Sequence, residues 1–268
     1  MKKGFIIILI LSVNVAKAQE LFVYTEPASN MAAKSIGLRL NNYFMKDGQS
    51  GRINYHLLPE IMWGVSKHVM VHAEAFTSNG DGPFTVEGGS FYAKYRFFSI
   101  DGVHNHFRIA AYGRYSFNKS NIGQPAIDFN GRNSGYEGGL VATKLVNKVA
   151  VSASSSVLYA NDNGSEKFLY GDKNRTAFNY TLSLGKLMLP KEYTGYGQTN
   201  MNLMLELLGQ TTAGNGNTFI DIAPSVQFIV KSRMRVDIGY RSPLVKKLYR
   251  AAPRGCIVRL EYNIFNLY

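Results

Sequence analysis

The sequence predicts an all-β fold: a single antiparallel, up-and-down β-barrel of about twelve strands that spans a membrane. Three observations indicate it. Apolar residues make up 46% of the 268 residues, yet no stretch of about 18 apolar residues follows the first segment of the chain. Those residues instead alternate with polar ones, which is typical of strands with two different faces. The connections between the alternating segments also differ in length according to their order in the chain.

The first eighteen residues have the features of a secretory signal peptide. Lys2 and Lys3 form a basic start, the run "GFIIILILSV" is apolar, and an A-x-A cleavage site ends at Ala18. The apolar run is too short to be a membrane helix. We therefore expect export, with cleavage before Gln19.

Two further parts follow the signal peptide of residues 1–18. Residues 19–33, which begin "QELFVYTEP", carry no strand pattern and are expected to form a short periplasmic segment, either an extension or a docking segment. This segment is too short to be a plug domain, which argues against a large energised transporter. Residues 34–268 are expected to form one domain, the barrel, because no helical period or low-complexity tract interrupts the alternation.

The charge balance indicates which partners to expect. The chain has 30 Lys and Arg residues against 18 Asp and Glu, and removal of three signal-peptide lysines leaves 27 − 18 = +9. A basic exported protein favours anionic lipid headgroups, anionic solutes or an acidic partner. Nucleic acid is not expected, since the charges are dispersed and no binding motif is present. The single cysteine, Cys256, excludes an internal disulfide framework, so stability must come from packing or from barrel closure.

Alternation with period two predicts twelve strands, each long enough for the tilted spans of about 9–11 residues that cross a membrane. Their expected bounds are 34–44, 52–64, 68–78, 88–98, 106–118, 134–146, 149–159, 175–188, 198–212, 217–230, 233–242 and 255–267. Connections after even-numbered strands are short or modest, such as "VSK" and "NK". Those after odd-numbered strands are longer and polar, such as "NKSNIGQPAIDFNGRN". This asymmetry is typical of outer-membrane barrels, with short turns on the periplasmic side.

The final strand shows how the two faces separate. Val258, Leu260 and Tyr262 point one way, whereas Arg259 and Glu261 point the other way. In a soluble sandwich the apolar face would be the core. In an exported chain without helices and with this loop asymmetry, we expect the apolar face to contact lipid.

Aromatic residues fall near both ends of the predicted strands. Trp63, Phe97, Phe107 and Phe228 lie toward the short connections, and Phe44, Phe117, Tyr159, Phe178 and Tyr240 lie toward the long ones. Two such girdles mark the two interfaces of an outer-membrane barrel. The alternative is that Tyr and Phe are simply common in strands.

The terminal segment "CIVRLEYNIFNLY" continues the strand pattern to the last residue, which is aromatic. Here the chain resembles Gram-negative outer-membrane β-barrel proteins, including small porin-like channels, whose last strand ends in an aromatic residue with apolar residues at alternate positions before it. Tyr268, Ile264 and Tyr262 match that pattern, and Asn266 departs from it. The resemblance covers the mature chain in architecture, and it implies an outer-membrane location and recognition of this strand by the barrel-assembly machinery. It identifies a class of protein rather than an activity.

Two prolines and one lysine conflict with regular strands. Pro59 and Pro224 lie inside predicted strands, where a proline removes a ladder hydrogen bond, so bulges or shifted boundaries are expected there. In the sixth strand, a lumen position for Glu137 places Lys144 toward lipid unless a bulge changes the phase.

Charged residues recur on the polar face of the strands, and they are the candidate lumen-lining residues. These are Arg39, Glu74, Lys94, Arg96, Arg108, Arg114, Arg233, Arg235, Asp237, Arg259 and Glu261. We expect the bases to form two ladders. The first contains Lys94, Arg96, Arg108 and Arg114 on the fourth and fifth strands. The second contains Arg233, Arg235, Arg259 and Arg39, around the closure between the last strand and the first.

This lumen is compatible with two functions. Rows of Arg and Lys favour anions, which predicts passive passage of small anionic or polar solutes. Alternatively, the bases pair with the acids and brace a crowded lumen, as in a non-conducting structural or accessory subunit of a larger envelope complex. Side chains just fill a barrel of about eight strands, and about 16–18 strands leave a wide channel, so twelve strands leave both interpretations open.

Metal and catalytic chemistry have little support in the sequence. His104 with His106, and His68 with His72, have the spacing to share a strand face, but no cysteine or acidic cluster completes a metal site. A lipid hydrolase, the third alternative, needs a serine activated by a histidine, and no G-x-S-x-G motif is present. No cofactor, metal or catalytic residue is therefore predicted.

Overall fold

The computed structural model describes residues 22–80, 82–102, 105–192 and 197–267, so the predicted signal peptide and Tyr268 lie outside it. Within these ranges no helix is long and apolar enough to cross a membrane. The strands are β1 (Ser35–Lys46), β2 (Ile53–Gly64), β3 (Val69–Ser78), β4 (Thr85–Gly102), β5 (Asn105–Asn118), β6 (Gly135–Val146), β7 (Val149–Ala160), β8 (Thr176–Leu189), β9 (Asn200–Thr212), β10 (Thr218–Val230), β11 (Met234–Lys246) and β12 (Arg254–Ile264). A short 3-10 helix, Asp172–Arg175, precedes β8. The structure confirms all twelve predicted strands, and β4 extends beyond its predicted bounds at both ends.

β1 closes the barrel by pairing with β2 on one side and with β12 on the other. Neighbouring strands are antiparallel, and the β1–β12 ladder starts with Ile36 opposite Ile264. A sheet that spans lipid must close in this way, because hydrocarbon offers no partner to the backbone groups of an edge strand. β12 ends at Ile264 rather than at the predicted residue 267. The N–H of Leu267 instead donates to the carbonyl oxygen of Lys34 at 3.0 Å.

The two faces of the strands have the predicted polarity. In β12 the outward side chains of Leu260 and Tyr262 are 45% and 46% exposed, whereas the inward side chains of Ile257 and Arg259 are 0% and 6% exposed. Exposed apolar side chains continue around the barrel. This outer surface matches hydrocarbon rather than water.

The aromatic residues predicted for the long-loop interface all lie on this outer surface: Phe44, Phe117, Tyr159, Phe178 and Tyr240 are exposed. At the other end Phe97 is exposed, and Trp63, Phe107 and Phe228 are half-buried. Their positions support two girdles, one near each end of the strands.

The shortest connections lie at one end of the barrel and the longest at the other. Residues 147–148 join β6 to β7, and residues 231–233 join β10 to β11. At the other end, residues 119–134 join β5 to β6, and residues 161–175 join β7 to β8. In outer-membrane barrels the short turns are periplasmic and the long loops extracellular, and we orient the barrel accordingly.

Pro59 and Pro224 are accommodated without bulges, which corrects one prediction. Near Pro59 the β2–β3 ladder loses pairs between Leu57 and Glu60 but keeps its register, and near Pro224 the β10–β11 ladder is interrupted in the same way. A proline lacks only its N–H donor, so pairing is lost on one side of its strand. On the other side, the β1–β2 ladder past Pro59 and the β9–β10 ladder past Pro224 keep their full register. Register shifts lie at Phe76/Thr77, Arg96/Phe98, Leu187/Leu189 and Ile220/Asp221, and the last of these is opposite Pro243 of β11.

β6 needs no bulge either. Glu137 faces the lumen, and Lys144 is exposed on the outer face, with its ammonium 5.8 Å from the centroid of the Phe107 ring. A lysine near the end of a strand keeps its charge at the interface while its stem covers apolar surface.

We expect Leu182→Arg to destabilise the barrel. Leu182 is exposed on the outer face of β8, opposite Ala153 and Leu207 near the middle of the sheet. An arginine that faces hydrocarbon at the midplane lowers the free energy of unfolding by about 2–4 kcal/mol, against about 0–1 kcal/mol near an interface. Urea titration of the protein in lipid vesicles measures this loss. Val146→Arg, at the periplasmic end of β6, is the matched control, and equal losses would contradict the lipid-facing assignment.

Candidate functional site: the barrel lumen

The lumen contains a segment of the chain that the sequence predicts to lie in the periplasm. Residues 22–33 precede β1 and, except near the exposed Ala32 at the periplasmic end, lie inside the barrel, where Phe22, Val23 and Ala28 are 2% exposed or less. We name these residues the N-terminal plug. The predicted periplasmic position is wrong for them, because a plug does not need a domain: ten extended residues already reach about 33 Å.

Glu206 of β9 binds the beginning of the N-terminal plug. One carboxylate oxygen accepts the N–H groups of Val23 and Tyr24, both at 2.9 Å, and the other accepts the Thr25 hydroxyl at 2.7 Å. Glu206 is fully buried. These donors replace the water that its carboxylate loses on burial.

Lys94 of β4 binds the middle of the N-terminal plug. Its ammonium donates to the carbonyl oxygens of Pro27 and Ser29, at 2.6 and 2.8 Å. Arg108 of β5 donates to the Ser29 hydroxyl at 2.8 Å. Two members of the first predicted basic ladder therefore bind neutral oxygens of the plug, and Arg108 also contacts the Asp101 carboxylate at 2.8 Å.

The second predicted ladder is a network in which acids alternate with bases. Its six members are Arg39, Arg235, Arg259, Glu60, Asp237 and Glu261. Arg39 contacts Glu60 at 3.0 Å and Glu261 at 2.9 Å, and Arg235 contacts Asp237 at 2.7 Å and Glu261 at 3.4 Å. Arg259 lies 3.8 Å from Asp237. All six side chains are 8% exposed or less. We name them the closure network, and their bracing contacts match the alternative interpretation of the lumen.

The N-terminal plug joins the closure network through one acid. Glu26 lies 2.8 Å from the Arg39 guanidinium and 3.9 Å from the Lys94 ammonium. The plug also reaches β11, since Arg235 donates to the Phe22 carbonyl oxygen at 2.6 Å. The plug therefore binds both groups of predicted basic residues.

Two other candidates line the wider part of the lumen. Arg114 donates to Asn130 and lies 3.6 Å from the Glu137 carboxylate. Glu74 accepts a long hydrogen bond from Ser90, at 3.3 Å. Both side chains line a cavity of about 180 Å³ above the plug.

The last two basic candidates do not line that cavity. Arg96 is half-buried near the periplasmic end and donates to the Lys67 carbonyl oxygen at 2.8 Å. Arg233 lies in the turn 231–233 and is exposed, so its predicted place in the lumen is wrong. The reason is the strand boundary: β11 begins one residue later, at Met234.

The proposed assembly signal is only partly described. Tyr262 and Ile264 lie on the outer face of β12, and Tyr268 lies outside the described residues. Recognition of this strand by the barrel-assembly machinery stays a prediction.

A second segment enters the lumen from the extracellular end. We name residues 119–134 the inward loop; within it Ile122, Ile127 and Phe129 are buried. The side-chain amide of Gln210 in β9 accepts a hydrogen bond from the Ile127 N–H at 2.9 Å. It also donates one to the Ile127 carbonyl oxygen at 2.8 Å. Tyr24 of the N-terminal plug and Ile127 of the inward loop both line two cavities, of about 180 and 170 Å³. The lumen thus keeps open space above the plug.

Two of the histidines contact acids. His72 Nδ1 lies 2.5 Å from Glu60, and His106 Nδ1 lies 3.2 Å from Asp101, while His104 falls outside the described residues. These contacts do not involve a serine hydroxyl, so they lend no support to a hydrolase. In the described part of the chain, no group of three or more His, Cys, Asp and Glu side chains is arranged to hold a metal ion.

Sequence reasoning missed the N-terminal plug and three arginines of the second cavity, Arg132, Arg241 and Arg250. One available signal for the plug is the run Phe22–Tyr24, because adjacent apolar and aromatic residues favour burial. Arg241 shares the inward phase of Arg235, which was also an available signal. Arg132 and Arg250 lie in connections, where no period indicates direction.

The fold is similar to those of solved outer-membrane channels. No family model matches the chain, and no curated protein matches its sequence. The COG4313 outer-membrane channel from Pseudomonas putida F1 superposes with a TM-score of 0.55 at 11% identity, covering 90% of this chain and 99% of that chain. The NanC porin superposes with a TM-score of 0.50 at 9% identity, covering 87% and 100%. At these identities the likeness shows the fold, and it confirms the predicted closed antiparallel β-barrel.

We expect Arg39→Met to lower the free energy of unfolding by about 3–5 kcal/mol, because Glu60 and Glu261 lose the guanidinium they share in a buried site. Urea titration in detergent micelles measures this change. Arg233→Met removes an exposed arginine and is the control, with an expected change within about 0.5 kcal/mol. A similarly small change for Arg39→Met would contradict the bracing role of the closure network.

Proposed function

We propose that the protein is a passive channel for small polar solutes with a preference for anions, and that the N-terminal plug leaves the lumen for solutes to pass. The supporting observation is that the barrel wall is complete without the plug. Every strand pairs with two neighbours, and three acids of the wall match the three bases of the closure network. Displacement of the plug would therefore leave a closed barrel with a charged lumen.

The contacts of the plug support the anion preference. Withdrawal removes Glu26 from Arg39 and releases Lys94 and Arg108 from plug oxygens. Glu206 is the wall acid whose plug contacts are lost at the same time. The lumen then loses one acid, Glu26, and exposes Lys94 and Glu206, whereas Arg108 keeps its contact with Asp101 at 2.8 Å. The loss of one negative charge favours anions, as rows of bases do.

The similar solved structures agree with passive passage. One is described as an outer-membrane channel and the other as a porin. Both are covered almost completely by this chain, so the comparison concerns whole barrels.

A second candidate function is favoured by the closure network and by the filled lumen. A barrel whose charges are paired and whose periplasmic half is occupied suits a non-conducting structural or accessory subunit of an envelope complex. The two candidates differ in whether the plug can leave.

A reversible disulfide between the N-terminal plug and the barrel wall tests whether conduction requires the plug to move. The hydroxyl oxygens of Thr25 and Ser183 are 2.9 Å apart, which suits a disulfide between cysteines at these positions. Cys256, which is exposed on the outer face, is first replaced by alanine. In planar bilayers under a salt gradient, we expect the reduced double-cysteine protein to give current steps with an anion-selective reversal potential. The oxidised protein should be silent.

The controls separate the outcomes. Each single-cysteine variant should be insensitive to oxidant, and a deletion of residues 22–29 should conduct without reductant. If neither the reduced nor the deleted protein conducts although both are folded, the accessory-subunit candidate replaces the channel. Equal currents in the oxidised and reduced states would show that passage does not require displacement of the plug.

We expect Lys94→Glu to weaken the anion preference, because it reverses a charge that the plug releases. In the plug-deleted protein the reversal potential should move toward the cation side. Lys231→Glu, in an exposed turn between β10 and β11, is the control for the same charge change. An unchanged reversal potential in Lys94→Glu would place Lys94 off the solute path.

A further inference from the structure

The outer of the two lumen cavities is lined by arginines from three different elements. This outer cavity, of about 170 Å³, lies between the inward loop and the extracellular halves of β9, β10 and β11. Arg132 comes from the inward loop, Arg241 from β11 and Arg250 from the connection 247–253. Among the described residues, Asp128 is the acid that lines the outer cavity.

Arg241 and Arg250 share a single carboxylate. Arg250 donates through both terminal nitrogens to the two oxygens of Asp221, each at 2.5 Å, and Arg241 donates to the same carboxylate. Asp221 is fully buried. Two guanidinium groups on one carboxylate leave one positive charge without a partner.

Arg250 is held rigidly and still has a donor to offer. Its side chain is 7% exposed, and its guanidinium lies 3.7 Å from the centroid of the Phe219 ring. Its Nε–H finds no hydrogen-bond partner in the described part of the chain. A buried donor left unpaired is costly, so an acceptor that reaches Arg250 gains free energy by binding.

Arg132 adds a third guanidinium on the other side of the outer cavity. One of its terminal nitrogens lies 3.4 Å from the His56 ring, which is a long contact. Three arginines against Asp128 and Asp221 give 3 − 2 = +1 around the cavity. Arg250 and Asp221 are buried, and the lower effective dielectric around buried groups strengthens the attraction for one negative charge.

The remaining lining indicates the body of the ligand. Ile127, Leu208 and Phe219 supply apolar surface beside the arginines. The volume of about 170 Å³ is smaller than the roughly 300–1,000 Å³ of sites for drug-sized ligands. Arginine recognises carboxylates through paired donors. The site therefore suits a small carboxylate with a short apolar body.

We propose that the outer cavity binds a small organic monoanion, a carboxylate with a short apolar or aromatic body, on its way to the N-terminal plug. The role of the site in uptake rests on the proposed channel, whereas binding itself needs no conduction. Tyr24 belongs to the plug and also lines the outer cavity, and its hydroxyl has no hydrogen-bond partner among the described residues. The bound anion thus contacts the plug directly.

Benzoate is the probe, and benzyl alcohol is its neutral counterpart. Isothermal titration calorimetry on the full mature chain in detergent, at low ionic strength, should show saturable binding of one benzoate. Benzyl alcohol should bind at least about ten-fold more weakly, because it brings no charge to the arginines. Equal affinity for the two probes, or no saturable binding to folded protein, would overturn the site.

Arg132→Gln should weaken benzoate binding about ten-fold, since it removes a charged donor whose contact with the barrel is long. Arg52→Gln is the matched control, because Arg52 is an exposed arginine of the connection between β1 and β2 on the same side of the membrane. Benzoate binding that Arg132→Gln leaves unchanged would also overturn the site. A protein that binds benzoate but stays silent in bilayers would overturn the channel and leave this site standing. A protein that conducts but does not bind benzoate would overturn this site and leave the channel standing.

Discussion

The structure depends on the pairing of β1 with β12. An unpaired N–H or carbonyl group in hydrocarbon costs several kcal/mol, so a sheet in a membrane is stable only when its first and last strands meet. That pairing fixes the order and the phase of all twelve strands. Once the phase is fixed, every second side chain points into an enclosed lumen, and the charged side chains of the closure network lie there.

Enclosure then decides how those charges are arranged. A charge that loses its water must find a partner, and the closure network provides one along the seam where the barrel closes. Arg39 stands opposite Glu261 across β1 and β12 and opposite Glu60 across β1 and β2, while Asp237 stands opposite Arg259 across β11 and β12. The residues that pair the backbone at the seam also pair the charges, so the wall is braced before any other segment is added.

The N-terminal plug and the inward loop divide the remaining space. The plug is held largely by its own backbone groups and hydroxyls, through Glu206, Lys94 and Arg108, and it brings one acid to Arg39. The inward loop is held by Gln210 and leaves a basic cavity at the extracellular end. The charges of the wall are thus paired, the plug is bound in part by the bases Lys94, Arg108 and Arg39, and the outer cavity is lined by three arginines.

Alternation along the chain is enough to predict the class of fold, the twelve strands and the inward or outward direction of their side chains, because alternation is local and the pleat has a period of two. It also identified Arg39, Arg235 and Arg259 as lumen residues. It did not determine what those residues contact. Whether a row of bases faces water, a neighbouring acid such as Glu261 or the carbonyl of Phe22 depends on which strands meet and on where the connecting segments fold. Those segments, residues 22–33 and 119–134, show no alternation that would predict the direction of their side chains. Their positions follow from burial and charge in a lumen that exists only after the barrel has closed.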